Sequence, residues 1–123
     1  MRRIQSGMAL NPQNPSEIAN EIARLSEVLE GRTGEYAEHI AAAAHASASF
    51  KGTHARALLN VISSHGKLTV GEKEAFTEIE VNEQRVVAEV LEARAKATKS
   101  SMDSLRTQID ALRSLGASIR AQT

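Results

Sequence analysis

Apolar residues along this chain recur at alternating steps of four and three. Ile18, Ile22, Leu25 and Leu29 set the rhythm, Tyr36 continues it, and Ile40, Ala43, Ser47 and Phe50 follow. Such spacing marks a helix that pairs with another helix along a narrow seam. The step from Tyr36 to Ile40 adds an extra four, which reads as a stutter that locally unwinds a supercoil. Asn14-Pro15-Ser16-Glu17 is a helix start. Asn14 is a capping residue, Pro15 suits the first helical position, and Glu17 sits where a capping-box acid reaches back. Gly31, Gly34 and Gly52 each cost about 1 kcal/mol against Ala inside a helix. The apolar pattern carries across them, which predicts one first arm, continuous or kinked, over about residues 15–63.

The helical pattern breaks near the middle, at Ser63-Ser64-His65-Gly66-Lys67-Leu68-Thr69-Val70-Gly71-Glu72. Gly66 is suited to close the first helix as its C-terminal cap. Thr69 and Glu72 are spaced as a capping box that opens the next. The expected bend spans 64–71, with Gly66, Lys67, Thr69, Gly71 and Glu72 as its working residues. The second arm, about 70–120, carries Phe76, Ile79, Val87, Leu91, Met102, Leu105, Ile109, Leu112, Leu115 and Ile119. Its last five positions make the strongest seam. The expected fold is all-α, a long antiparallel helical hairpin resembling a coiled coil. The helix-pairing seam is read as Ile18, Ile22, Leu25, Leu29, Tyr36, Phe50 and Leu58 against Phe76, Leu91, Met102, Leu105, Ile109, Leu112 and Ile119. Residues 1–13, ending in Asn11-Pro12, read as a flexible N-terminal arm. Residues 14–123 then form a single hairpin domain.

Charge sharpens the hairpin. Residues 17–38 hold six acids and two bases, and 39–71 hold no acid. Residues 72–92 hold seven acids and two bases, and 94–120 hold six bases and two acids. Folding about Lys67 opposes acidic and basic stretches twice. Residues whose numbers sum to about 134 then face each other. That register sets Arg56 against Glu78, Lys51 against Glu83, Glu38 against Lys96, Glu35 against Lys99, Arg24 against Asp110 and Glu21 against Arg113. It also sets Leu58 against Phe76, Leu29 against Leu105, Leu25 against Ile109 and Ile22 against Leu112. His54 faces Glu80 and His45 faces Glu89. Each exposed pair is worth only about 0–1 kcal/mol, so the charges are expected to set orientation more than stability. Arms of about 50 residues span roughly 75 Å. Two helices alone bury a thin seam, and Leu10, Val61, Ile62, Val81, Val86 and Leu115 suggest apolar surface beside it. The expected remedy is a homodimer forming a four-helix bundle, or a higher oligomer.

Composition narrows the class. The chain has 123 residues, no Trp, one Tyr and two Phe, so an aromatic-rich core is excluded. Fifteen basic and fifteen acidic residues cancel, so bulk charge names no nucleic-acid or membrane partner. With no Cys, thiol catalysis, disulfides and Cys-based zinc sites are excluded. No apolar run approaches a membrane span, and no signal-peptide core follows Met1-Arg2-Arg3. A cytoplasmic protein of the bacterial host is expected.

Candidate chemistry is sparse. Of His39, His45, His54 and His65, only His39 shares a helical face with a nearby acid, Glu35, and no two histidines have ligand spacing. The acids Glu72, Glu74, Glu78, Glu80 and Glu83 fall on several helix faces and read as solvated. Gly66-Lys67 lacks the rest of a phosphate loop: Val61 stands where its first Gly belongs and Leu68 where Ser or Thr belongs. No nucleophile–base set appears, so no catalytic, metal or cofactor-binding residue is expected, and no cofactor. Arg106, Arg113 and Arg120, with Arg2 and Arg3, are the candidate phosphate contacts. Stacking aromatics are missing, so nucleic acid is not the favoured partner.

The stretch Gly66-Lys67-Leu68-Thr69-Val70-Gly71-Glu72-Lys73-Glu74-Ala75, with its charged helix and the ending Ile109-Asp110-Ala111-Leu112-Arg113-Ser114-Leu115-Gly116-Ala117-Ser118-Ile119-Arg120, resembles small helical proteins of phages and prophages of Gram-positive, especially actinobacterial, hosts. Leu10-Asn11-Pro12 and Ile18-Ala19-Asn20-Glu21-Ile22 fit the same likeness. The resemblance implies a non-structural protein encoded among recombination and replication genes, with no catalytic residues to transfer. The leading expectation is a non-enzymatic helical oligomer that acts on a phage or host protein, accessory to DNA recombination or replication. The alternative is an inhibitor of a host or anti-phage defence protein, bound through an exposed helical face. A secreted hairpin of the WXG type fits the size and bend, but its defining Trp is absent.

Overall fold

A computed structural model describes residues 14–122. They form two α-helices, α1 (Pro15–Ser64) and α2 (Val70–Gln122), which pack against each other as a hairpin. No strand occurs among the described residues. The arm expected at 1–13 lies outside them.

Local chemistry sets each helix end. The Asn14 side chain accepts from the backbone N–H of Ser16 at 2.9 Å and of Glu17 at 3.4 Å, so two of the first free amides of α1 are satisfied. At the other end His65 N–H bonds the Val61 carbonyl at 3.1 Å, and Gly66 turns the chain with φ 67°. That left-handed turn is open to Gly at no steric cost. Thr69 and Glu72 then form the reciprocal box. Glu72 N–H donates to the Thr69 hydroxyl at 3.1 Å, and Thr69 N–H to the Glu72 carboxylate at 2.9 Å. The first arm is continuous through Gly31, Gly34 and Gly52. A Cβ at Gly31 or Gly34 would meet nothing, so those two glycines serve no close approach.

The structure divides into two compact units: the chain up to Gly34 with the chain from Lys99, and Glu35–Thr98. The first holds large apolar side chains between its helices. Leu25, Leu105 and Ile109 are buried together, with Ile22, Val28, Leu29 and Leu112 packed around them. Ile18, Met102 and Ile119 are also buried. The pairs Leu25 with Ile109, Leu29 with Leu105 and Ile22 with Leu112 thus meet in one cluster. Gly116 faces Ile18, whose Cγ2 would lie 3.8 Å from an added Cβ. Arg32 sits half-buried on the same seam and donates to the Ser101 hydroxyl at 3.3 Å.

Small residues line the interior of the second unit. Ala43, Ala57, Val61, Thr77, Val81, Ala88, Ala95 and Thr98 are buried, and Val61, Val81 and Thr77 are fully so. Val61 and Val81 therefore belong between the helices, where surface beside the seam was expected. The Thr77 hydroxyl is satisfied locally by the Lys73 carbonyl at 2.7 Å. The stutter moves as well. From Tyr36 the buried or half-buried positions run through His39 to Ala43, in steps of three and four, and Ile40 is exposed. An extra step of four occurs on α2 beside the bend, at Thr77–Val81–Arg85. An added four there relaxes the supercoil.

Candidate interaction surface

Thirteen of the fourteen expected seam residues are buried or half-buried; Phe76 is the exception. Its ring stacks on His65 with centroids 4.6 Å apart, and Thr77 takes the interior position. One residue of rotation on a helix is about 100°, enough to exchange the two. The His65 ring is tied in turn, its Nδ1 lying 3.2 Å from the Val61 carbonyl. Leu58 is half-buried, and the ring contact of Phe76 is with His65.

For Glu21, Arg24, Glu78, Lys99, Asp110 and Arg113 the expected ion pairs across the hairpin give way to pairs within a single helix. Arg24 clasps Glu21 through two bonds of 2.7 and 2.6 Å, where Asp110 was the expected partner. Arg113 lies 3.7 Å from Asp110, where Glu21 was expected. Glu78 and Glu89 both meet Arg85, and Arg56 reaches the Thr53 hydroxyl. A carboxylate three or four residues away on the same helix is already within reach, so the arginine need not extend across the seam. The Glu21 carboxyl is held below its ordinary range by the Arg24 hydrogen bonds, and Glu72 is held low by the Thr69 backbone amide.

Among the described residues no group of three His, Asp or Glu is placed to hold a metal ion. His45 lines a groove with Glu83, His54 packs edge-on to Phe50, and His39 bonds Thr98. Of the candidate phosphate contacts, Arg106 pairs with Asp103 at 3.2 Å and Arg113 with Asp110. Arg120 lies beside Gly116 and Ile18. Arg2 and Arg3 lie outside the described residues. No helix of the described residues is long and apolar enough to cross a membrane.

The unusual feature is what the second unit leaves outside. Every exposed large apolar side chain of the described residues falls in Glu35–Thr98: Ile40, Leu59, Ile62, Val70, Phe76, Ile79, Val86, Val87 and Val90. Ile79 is 75% exposed. Small residues lie between the helices here, and bulky ones face water. On α2 these outer residues are ordered. Positions 76, 79, 83, 86, 90, 93 and 97 are all exposed and alternate in steps of three and four. Phe76, Ile79, Val86, Val90, Ala93 and Ala97 fill that stripe, and Glu83 interrupts it. It is a second coiled-coil seam on one helix, opposite the seam that α1 covers. Beside it Val87 leads into a groove of about 430 Å³ between Ala42, Ala46 and Phe50 of α1 and Leu91 of α2.

The first seam was legible because its residues are large. The outer stripe was not separated because Phe76 was assigned to the inner seam, while Ile79 was read only as an apolar position of the second arm and Val86 only as surface beside the seam. The period of α2 permits both, and the signal that separates them is small: Thr77, Val81, Ala88 and Ala95 carry the interior instead. Comparison with protein-family models, with curated proteins and with solved structures finds no match to this chain.

Proposed function

We propose that this is a non-enzymatic helical interaction protein that works as a homo-oligomer, two hairpins joined into a four-helix assembly or more. The observation that carries the reading is the inverted second unit, whose bulky apolar residues face outward. A monomer rarely leaves a contiguous apolar face of this kind in water, and such faces mark association. The phage-like sequence features support a setting in the cytoplasm of a bacterial host, accessory to DNA recombination or replication. The engagement of Arg106 and Arg113 by neighbouring aspartates favours action through protein contacts over phosphate contacts. Sedimentation equilibrium at micromolar concentration tests the reading. A mass of at least twice the chain is expected, and a monomer would overturn it. A monomer that forms a one-to-one complex with a single host protein would favour the inhibitor reading through the same exposed face.

A further inference from the structure

We infer that the outer seam of α2 is covered by the same seam of a second copy, docked antiparallel, with Val86 of each chain beside Val90 of the other and Glu80 paired with Arg94. This rests on the self-association proposed above and gives it a surface and a register.

The seam runs from Phe76 to Ala97, about 32 Å of helix at 1.5 Å per residue. Its one polar member decides the orientation. In a parallel pair, Glu83 would face Glu83 of the second copy inside the apolar stripe, where like charges are costly. In an antiparallel pair centred between the two chains, Val86 meets Val90, Glu83 meets Ala93, and Ile79 meets Ala97. The flanking positions then fall into place. Val87 meets its own copy on the two-fold axis, and Glu80 faces Arg94 on both sides of it.

Among the described residues, neither Glu80 nor Arg94 has an ion-pair partner on its own chain. Arg24, Arg85, Lys99, Arg106 and Arg113 all take a carboxylate on their own helix. Among the described residues Glu80, Glu83 and Arg94 are exposed and take part in no ion pair. The proposed register brings Arg94 beside both Glu80 and Glu83 of the second copy. The opposite flank sets Glu89 against its own copy, and each Glu89 is already 3.5 Å from an Arg85 guanidinium of its own chain, which offsets that repulsion.

Charge exchange in the full-length chain tests this. Glu80→Arg or Arg94→Glu alone is expected to weaken dimerisation about tenfold or more, since each creates two like-charged contacts. The double exchange Glu80→Arg/Arg94→Glu is expected to restore it to within about threefold. Circular dichroism checks that each variant remains helical. Val87→Cys is expected to form a disulfide between chains on oxidation. Wild-type protein that sediments as a monomer would overturn both the self-association and this register. A wild-type dimer that ignores both single exchanges and fails to crosslink through position 87 would leave self-association standing and overturn the register alone.

Discussion

The Nδ1 atom of His39 lies 2.8 Å from the Thr98 hydroxyl, a hydrogen bond from α1 to α2 at a seam position that an apolar residue would ordinarily occupy. The same hydroxyl reaches the Arg94 carbonyl at 3.1 Å. A hydroxyl has one proton, and the carbonyl can only accept it. His39 must therefore donate through Nδ1–H. A directional bond among alanines resists sliding in a way that small apolar contacts do not, and polar seam residues commonly fix register at some cost in stability.

His39→Ala is expected to destabilise the fold by about 1 kcal/mol, the net worth of one such bond. Thr98→Val removes the same bond from the other side. A double-mutant cycle by urea denaturation should return a coupling of about 0.5–1.5 kcal/mol, whereas additivity would mean the two groups do not interact.

Glycine substitutions should divide by sign. Gly66 alone has a positive φ among the described residues, and an added Cβ there meets nothing. Gly66→Ala therefore costs only the left-handed backbone penalty, about 1–2 kcal/mol. Gly31→Ala and Gly34→Ala lie within α1 in open space, and each should stabilise by up to about 1 kcal/mol. Thermal unfolding followed by circular dichroism separates the two classes.

The two units should respond differently to truncation. Leu25→Ala removes a buried side chain from the Leu105–Ile109 cluster and is expected to cost about 2–5 kcal/mol in chemical denaturation. Ile79→Ala, at an exposed site, should change the unfolding of the dilute chain by less than about 0.5 kcal/mol. Its effect is expected on association instead.

Acid should loosen the start of α2. The Glu72 carboxyl is held below its ordinary range by the Thr69 amide, with the Thr69 hydroxyl helping. A lowered folded-state pKa gives stabilisation that is present above the unfolded value, about 4.3, and is lost as pH falls through the folded one. Hydrogen exchange at Thr69–Lys73, corrected for intrinsic rates, should show protection falling below about pH 4. Glu72→Gln keeps the box geometry without the titration, so its protection in this segment should be nearly flat across the same range.

Much of the fold was readable from particular residues. Asn14, Gly66, Thr69 and Glu72 act through local geometry, and the sequence carries that directly. Leu25, Leu105 and Ile109 are large and regularly spaced, so their meeting could be anticipated. Arg32 and His39 were passed over because they are polar, although they continue the steps from Leu29 and Tyr36. The inner and outer faces of α2 were harder to separate. Thr77 and Ala88 contribute little hydrophobicity, and Phe76 and Val87 contribute much, so a rule that puts large apolar residues inside selects the wrong stripe. Ion pairs across the seam were expected from the charge pattern, but closer partners on the same helix engage those side chains.

The most direct measurement is the mass of Val86→Glu/Val90→Glu beside that of the wild type, by sedimentation equilibrium, with helicity followed in parallel. Both residues are exposed in the single chain, so the substitutions should leave the hairpin helical. The wild type is expected to sediment as a dimer or larger, and the variant as a helical monomer. A variant with the same mass as the wild type would contradict the claim that the outer face of α2 joins the chains.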